Sequence, residues 1–296
     1  MYDWALHADD VLYTGLDALL EYGRGFDSEK FRGCIFHVSR CGSTAIANAI
    51  RAVRHMLVIS ESRVLTAIML SARYGGLNVS AETKSLLAAG FMAAVLKECA
   101  ATSVVLKFPS FLSVDIAQTL SLLPTARWCF SYRRPKEVFR SLERSPSGWL
   151  GSERRREKAM VMLNFVPAAT EFEAGERVGF SRMFSNVVLI SARTSIDART
   201  VCLDYADFSQ TTVANILGFV LDDEYDDATL ERVGQVLHIY SKSLDKRAFV
   251  PDIPLLEQPS GFQSLDMAYE SYLAERNASG AVNAAFGTRT ILPGSL

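Results

Sequence analysis

Cys34 to Ile50 reads CIFHVSRCGSTAIANAI. Its first half is the apolar run of a buried strand and its second half, from Ser43, is an Ala- and Ile-rich helix. Between them stand a serine, one arginine, a cysteine and a glycine, and the helix opens on two hydroxyls, Ser43 and Thr44. A short apolar run that ends in small residues and restarts with helical spacing is the β-turn-α unit of a parallel sheet. The free N–H groups and the dipole at the mouth of such a helix attract an anion. Gly42 lets an oxygen approach the backbone, Ser43 and Thr44 add hydroxyl donors, and Arg40 adds a permanent cation with fork geometry. The bland alternative is a strand-to-helix turn closed by a capping serine, and the turn alone does not choose between them.

The same alternation continues along the chain. Strands are predicted at Cys34–Val38, Met56–Ser60, Ser103–Leu106, Arg127–Tyr132 and Thr200–Leu203. Helices are predicted over 10–31, from Ser43 to about residue 54, through Arg73, over about 81–100, from Ser110 to Leu122, from Pro135, over 209–220 and over 227–241. Proline is well placed at a first helical turn. Strands alternating with helices give an α/β fold, a P-loop-like three-layer domain whose central parallel sheet is flanked by helices. Ligands of such sheets bind beyond the carboxyl ends of the strands. That rule singles out Ser39–Thr44, Glu61, Lys107 and Arg133 for a joint reading. The chain is read as one domain: a helical preamble over 1–31, a core of 32–145 and 200–249, a helical insert or lid over 146–199, and a tail from residue 250. The tail carries four of the nine prolines and is read as loops with one helix near 264–276.

Bulk properties narrow the function classes. The 296 residues are 49% hydrophobic and 22% charged, which supports a sizeable core, and the net charge of −2 does not suit a nucleic-acid binder. An anionic ligand must then be held by local positive charge. Five cysteines without CxxC spacing, and four histidines without ligand spacing, give no metal site and fit a reduced, cytoplasmic residence. MYDWALHADD is acidic where a signal peptide is basic, and the longest near-apolar run, Leu86–Leu96, is too short to span a bilayer. The expectation is a protein without a membrane anchor.

A nucleotide triphosphatase loop does not fit the turn. That pattern needs a glycine where His37 stands and a lysine where Ser43 stands. A second segment, FSYRRPKEVFRSL at 130–142, offers Arg133 at a strand end and Ser141 eight residues on. One large anion spanning them is the functional reading of that spacing. Lys136 and Glu137 are read as ordinary surface charge.

Together the two segments resemble the phosphosulfate-binding motifs of the sulfotransferases. SRCGST at 39–44 is similar to the bacterial Arg-x-Gly-Ser-Thr turn, and YRRPKEVFRS at 132–141 to the second motif. The resemblance covers about 31–145, extends loosely to DYADF at 204–208, and is weak beyond 210. It implies transfer of a sulfuryl group from 3′-phosphoadenosine-5′-phosphosulfate to a hydroxyl or amine of a small-molecule acceptor. Arg40, Cys41, Gly42, Ser43 and Thr44 would cradle the 5′-phosphosulfate, and Arg133 and Ser141 the 3′-phosphate. Lys107 would stand by the transferred group and Tyr205 by the adenine. A histidine base follows the lysine in many relatives, but here Phe108 does. Glu61 is therefore the first candidate base, with a helix-terminal charge as its rival reading. His37 is second, and Asp204 and His238 are weaker. SERRREK at 152–158 is read as a solvated helix start or an arginine-bearing lid. Lys242, Lys246 and Arg247 lie where the family supplies late basic residues. An ATP-dependent kinase and a non-catalytic nucleotide-binding scaffold remain the alternatives.

Overall fold

A computed structural model describes residues 15–70, 76–144, 177–223, 225–239, 269–270, 272–274 and 282–283. Among the described residues six strands form one sheet: β1 (Phe31–His37), β2 (Met56–Ser60), β3 (Ser103–Lys107), β4 (Arg127–Tyr132), β5 (Thr200–Asp204) and the two-residue β6 (Val282–Asn283). Their order is β2-β3-β1-β4-β5-β6, and every pairing is parallel. The expected α/β architecture is the one observed.

The helices are α1 (Leu16–Arg24), α2 (Ser43–Ala52), α3 (Arg63–Met69), α4 (Ala81–Glu98), α5 (Ile116–Ser121), α6 (Pro135–Arg144), α7 (Arg177–Ser195), α8 (Gln210–Leu221) and α9 (Asp227–Leu237). Side chains of successive strand residues turn to opposite faces, so the sheet has two cores. Ile35, Val105, Cys129, Val201 and Leu203 face α2, α8 and α9. Cys34, Phe36, Val104, Leu106, Trp128, Phe130 and Tyr132 face the other side, with α3, α4, α5 and α7. Burial on both faces explains why the strands read as continuous apolar runs. On the second side α1 lies directly on α4. A Cβ on Gly23 would come 2.0 Å from the Leu86 carbonyl oxygen, and one on Gly90 would come 1.8 Å from that of Leu19.

Several boundaries differ from the sequence reading for local reasons. β1 begins three residues earlier, at Phe31, with a shift of register against β3 between Phe31 and Gly33. The helix expected from Ser110 is first a 3-10 segment, Ser110–Asp115, and becomes α-helical only at Ile116. Ser113 holds that segment against β1: its hydroxyl donates to the His37 carbonyl and accepts from the His37 N–H, both at 3.0 Å. Asp115 then caps α5, accepting from the Gln118 N–H. The preamble helix is shorter than expected, ending at Gly25. From the 146–199 stretch, α7 buries Phe184, Val187, Val188 and Leu189 in the core. No helix among the described residues is long and apolar enough to cross a membrane.

β2 is one of the two outer strands of the sheet among the described residues. The Arg51 guanidinium, from α2, donates to the Val58 carbonyl at 3.2 Å and to the Ser60 hydroxyl at 2.7 Å.

Candidate functional site

The register brings the candidates to one edge. Lys107 stands beside Ser60 of β2 and Ile35 of β1; His37 pairs with Ser131, and Tyr132 with Asp204. The carboxyl ends of β1 to β5 therefore stop nearly level. The turn after β1, Glu61 after β2, Lys107 at the end of β3, Arg133 after β4 and Tyr205 after β5 all follow from that stop.

The turn is built for an open helix mouth. Gly42 is the N-cap of α2, with φ 80° in the left-handed region, and no side chain makes a capping hydrogen bond there. The reading of a capping serine is thereby replaced: Ser43 is already the first helical residue. The Gly42 carbonyl accepts from Ala45 N at 2.8 Å and Ile46 N at 3.2 Å. A Cβ on Gly42 would lie 2.8 Å from the Phe208 ring and 3.3 Å from that of Tyr205. Arg40 is also left-handed, at φ 61°. For a side-chain-bearing residue that costs about 1–2 kcal/mol. The strands beneath offset it, since each fully buried apolar side chain contributes about 1.5–3 kcal/mol.

Cys41 turns its thiol into the core, where it is fully buried and donates to the Val38 carbonyl at 2.7 Å. Burial pushes that thiol's pKa up. Its own carbonyl accepts from the Ser131 hydroxyl at 2.7 Å. What Cys41 has left to offer an anion is its peptide N–H. Ser39 is tied to Ser110, hydroxyl to hydroxyl, at 3.0 Å.

On the β2 side, Glu61 sits in the left-handed region at φ 50°, its N–H donating to the Lys107 carbonyl at 2.7 Å. Its carboxylate forms an ion pair with Lys107, which is 3% exposed while Glu61 is 51% exposed. The cap of α3 is made by Ser62, which accepts from Leu65 N. The Glu61 carboxylate thus faces Lys107, while the neighbouring residue serves the helix.

His37 lies beneath, 5% exposed, with Nε2 3.9 Å from the Glu61 carboxylate. Nδ1 is 2.8 Å from the Val38 carbonyl and Nε2 is 3.0 Å from the Phe108 carbonyl. Burial first, and the Lys107 charge second, push its pKa down to about 3, so the ring is neutral at pH 7. A neutral ring donates from one nitrogen only. Both nitrogens face main-chain carbonyls, of Val38 on the β1 side and Phe108 after β3, and the one N–H of the neutral ring can serve only one of them, which gives this histidine a structural place between the β1 and β3 ends.

On the β4 side, Arg133 is buried, and three of its contacts fix its place. Nε donates to Glu137 at 2.9 Å, Nη1 donates to the Arg40 carbonyl at 3.2 Å, and the guanidinium lies 4.2 Å from the Tyr205 ring centre. Glu137, read from sequence as surface charge, instead orients Arg133; its signal was the four-residue spacing along a helix. Ser141 is half-buried, about 9 Å along α6 from Pro135. Tyr205 opens a 3-10 turn, Tyr205–Asp207, capped by Asp204, whose carboxylate accepts from Ala206 N at 3.0 Å. Asp204 also accepts a hydrogen bond from Tyr269. His238 is the C-cap residue of α9. SERRREK at 152–158 and Lys242, Lys246 and Arg247 lie outside the described residues. Among the described residues no three metal-ligating side chains gather into a metal site.

Comparison with solved structures places this architecture. The chain is similar to the sulfotransferase STF9 from Mycobacterium avium, with TM-score 0.52 and 13% identity, over 88% of this chain and 80% of that one. It is also similar to the sulfotransferase domain of the Synechococcus PCC 7002 olefin synthase, with TM-score 0.47 and 17% identity, over 81% and 94%. The likeness is one of fold. No family model and no curated protein matches the chain.

Proposed function

We propose that the protein transfers a sulfuryl group from 3′-phosphoadenosine-5′-phosphosulfate to a hydroxyl or amine of a small-molecule acceptor. The observation that carries this reading is the uncapped mouth of α2, with three cations, Arg40, Lys107 and Arg133, supplied from three neighbouring strand ends. The donor set suits a doubly anionic nucleotide. It consists of backbone N–H groups, two hydroxyls and arginine forks, with no lysine in the turn for a metal-bound triphosphate.

Bound there, the donor supplies an activated sulfuryl group whose departure leaves charge on the 5′-phosphate. Arg40, the α2 mouth and the hydroxyls of Ser43 and Thr44 face that charge, so they stabilise the transition state more than the ground state. Arg133, with Ser141, holds the 3′-phosphate, and Tyr205 borders the adenine. Lys107 exchanges its Glu61 partner for an oxygen of the transferred group. Glu61, half exposed and released from the pair, takes the proton of the acceptor. His37, buried and neutral, keeps Lys107 and the turn in register.

The test has two parts. Calorimetric titration should show micromolar binding of 3′-phosphoadenosine-5′-phosphate, lost in Arg133→Ala. Binding of ATP with Mg²⁺ alone would turn the reading to a phosphotransferase, and binding of neither to a scaffold. With a labelled donor and a panel of small hydroxyl and amine acceptors, Glu61→Gln should lower turnover by about 100-fold or more. Its affinity for the nucleotide should stay within about twofold. A Gln variant as active as the parent would remove Glu61 from the role of base.

A further inference from the structure

Two described pieces near the end of the chain, residues 269–270 and 272–274, dock behind the nucleotide end of the site. Tyr269 and Tyr272 are 1% and 2% exposed. Both pack on Tyr132, with ring centres 5.8 and 5.0 Å away, and Tyr272 also meets Phe130 at 5.9 Å. Packing alone would be served by phenylalanine. The Tyr269 hydroxyl does something more specific, since it donates to one oxygen of the Asp204 carboxylate. The other oxygen caps the turn that presents Tyr205. Tyr205 lies under the Arg133 guanidinium, and Arg133 reaches the Arg40 carbonyl. A second handle comes from Glu270, which pairs with Arg134 at 2.9 Å, while the Arg134 guanidinium lies 5.2 Å from the Tyr269 ring centre. The segment therefore grips both supports of Arg133: the turn beneath it and the residue beside it.

We propose that Tyr269 is a positioning residue for the nucleotide end of the site, acting through Asp204 on Tyr205 and Arg133. The geometry assigns it to the part of the ligand that Arg133 holds, and this rests on the nucleotide reading given above. The mouth of α2 lies on the other side of Arg133 and meets this chain of contacts only at second hand, through the Arg40 carbonyl and the Tyr205 ring, so the 3′-phosphate should feel the loss more than the rest of the nucleotide. A charge-assisted hydrogen bond of this kind is stronger than a neutral one, so its loss should be felt at Arg133. Burial, the Asp204 charge and the shared hydrogen bond all push the Tyr269 pKa far up, so the hydroxyl stays a donor through the neutral range.

The test compares two nucleotides by calorimetry. 3′-Phosphoadenosine-5′-phosphate carries the 3′-phosphate and adenosine 5′-monophosphate lacks it, so their affinity ratio isolates the 3′-phosphate assigned to Arg133 from the adenine and 5′-phosphate common to both. In Tyr269→Phe the ratio should fall five- to tenfold, with the monophosphate affinity unchanged within twofold. A merely structural role would weaken both nucleotides equally or neither, and either result overturns the proposal. Wild-type protein that binds neither nucleotide would instead overturn the nucleotide reading, and this inference with it. If Tyr269→Phe does not fold, Asp204→Asn carries the test, because it removes the charge from the Tyr269 hydrogen bond while keeping an oxygen for the Ala206 N–H. A two- to threefold fall in the ratio supports the proposal, and an unchanged ratio overturns it.

Discussion

Replacing Gly42 by alanine asks two separate things of the turn after β1. The first is conformational, because an alanine at φ 80° pays about 1–2 kcal/mol for the left-handed region. The second is steric. The new methyl would stand 2.8 and 3.0 Å from two atoms of the Phe208 ring and 3.3 Å from Tyr205. Relief requires the Phe208 ring to move, at about 1–3 kcal/mol for overpacking of this size. The sum is about 2–5 kcal/mol, or roughly 4–20 °C in Tm at about 2–4 °C per kcal/mol for a domain of this class. Scanning calorimetry of Gly42→Ala measures it. The double variant Gly42→Ala/Phe208→Leu separates the parts, since trimming the ring relieves the overlap and leaves the backbone cost. It should recover about half of the loss after correction for Phe208→Leu alone. A Gly42→Ala protein melting within 2 °C (~0.5–1 kcal/mol) of the parent would refute this account of the turn.

Two further perturbations test the flanks. Arg133→Lys keeps the charge but cannot together serve Glu137, the Arg40 carbonyl and the Tyr205 face. Its affinity for 3′-phosphoadenosine-5′-phosphate should fall about 10–100-fold, and an unchanged calorimetric Kd would show that charge alone suffices. His37 is lowered in the folded state, so the unfolded chain binds its proton first as pH falls below about 6.5. Stability from this group is complete above that pH and is lost toward the folded value near 3, at about 1.4 kcal/mol per unit. Between pH 7 and pH 5 the loss is about 2 kcal/mol, and His37→Gln should remove it. Denaturant titrations at both pH values would sink the idea if parent and variant lost stability equally.

What was legible in the sequence was whatever rests on chain-local chemistry. Five strands were visible because burial on both faces makes them apolar throughout, and their ends named Arg40, Glu61, Lys107 and Arg133 as neighbours before any coordinates did. The break at Ser110–Asp115 was not legible, because it depends on Ser113 reaching His37, 76 residues away. Nor was the Tyr269–Asp204 contact, which spans 65 residues and leaves no periodic trace. Glu137 was within reach of a sequence argument, since it lies one helical turn from Arg133. Charge at a helix start is ordinarily solvated, and that general rule points away from the pairing. The His37 environment was half visible: its place in a strand and the adjacent Val38 carbonyl were clear, but the Phe108 carbonyl lies 71 residues away and comes near only through the pairing of β1 with β3.

The Arg51 contact on β2 bears on how copies of this protein behave toward one another. An outermost strand with open carbonyls and amides is a template on which another chain can add. Here the guanidinium occupies the Val58 acceptor and sets a positive charge against that border. An incoming strand would have to displace it and bury the charge. Arg51 thus stands where it disfavours the addition of a second chain at that border, a consequence quite apart from the chemistry at the strand ends.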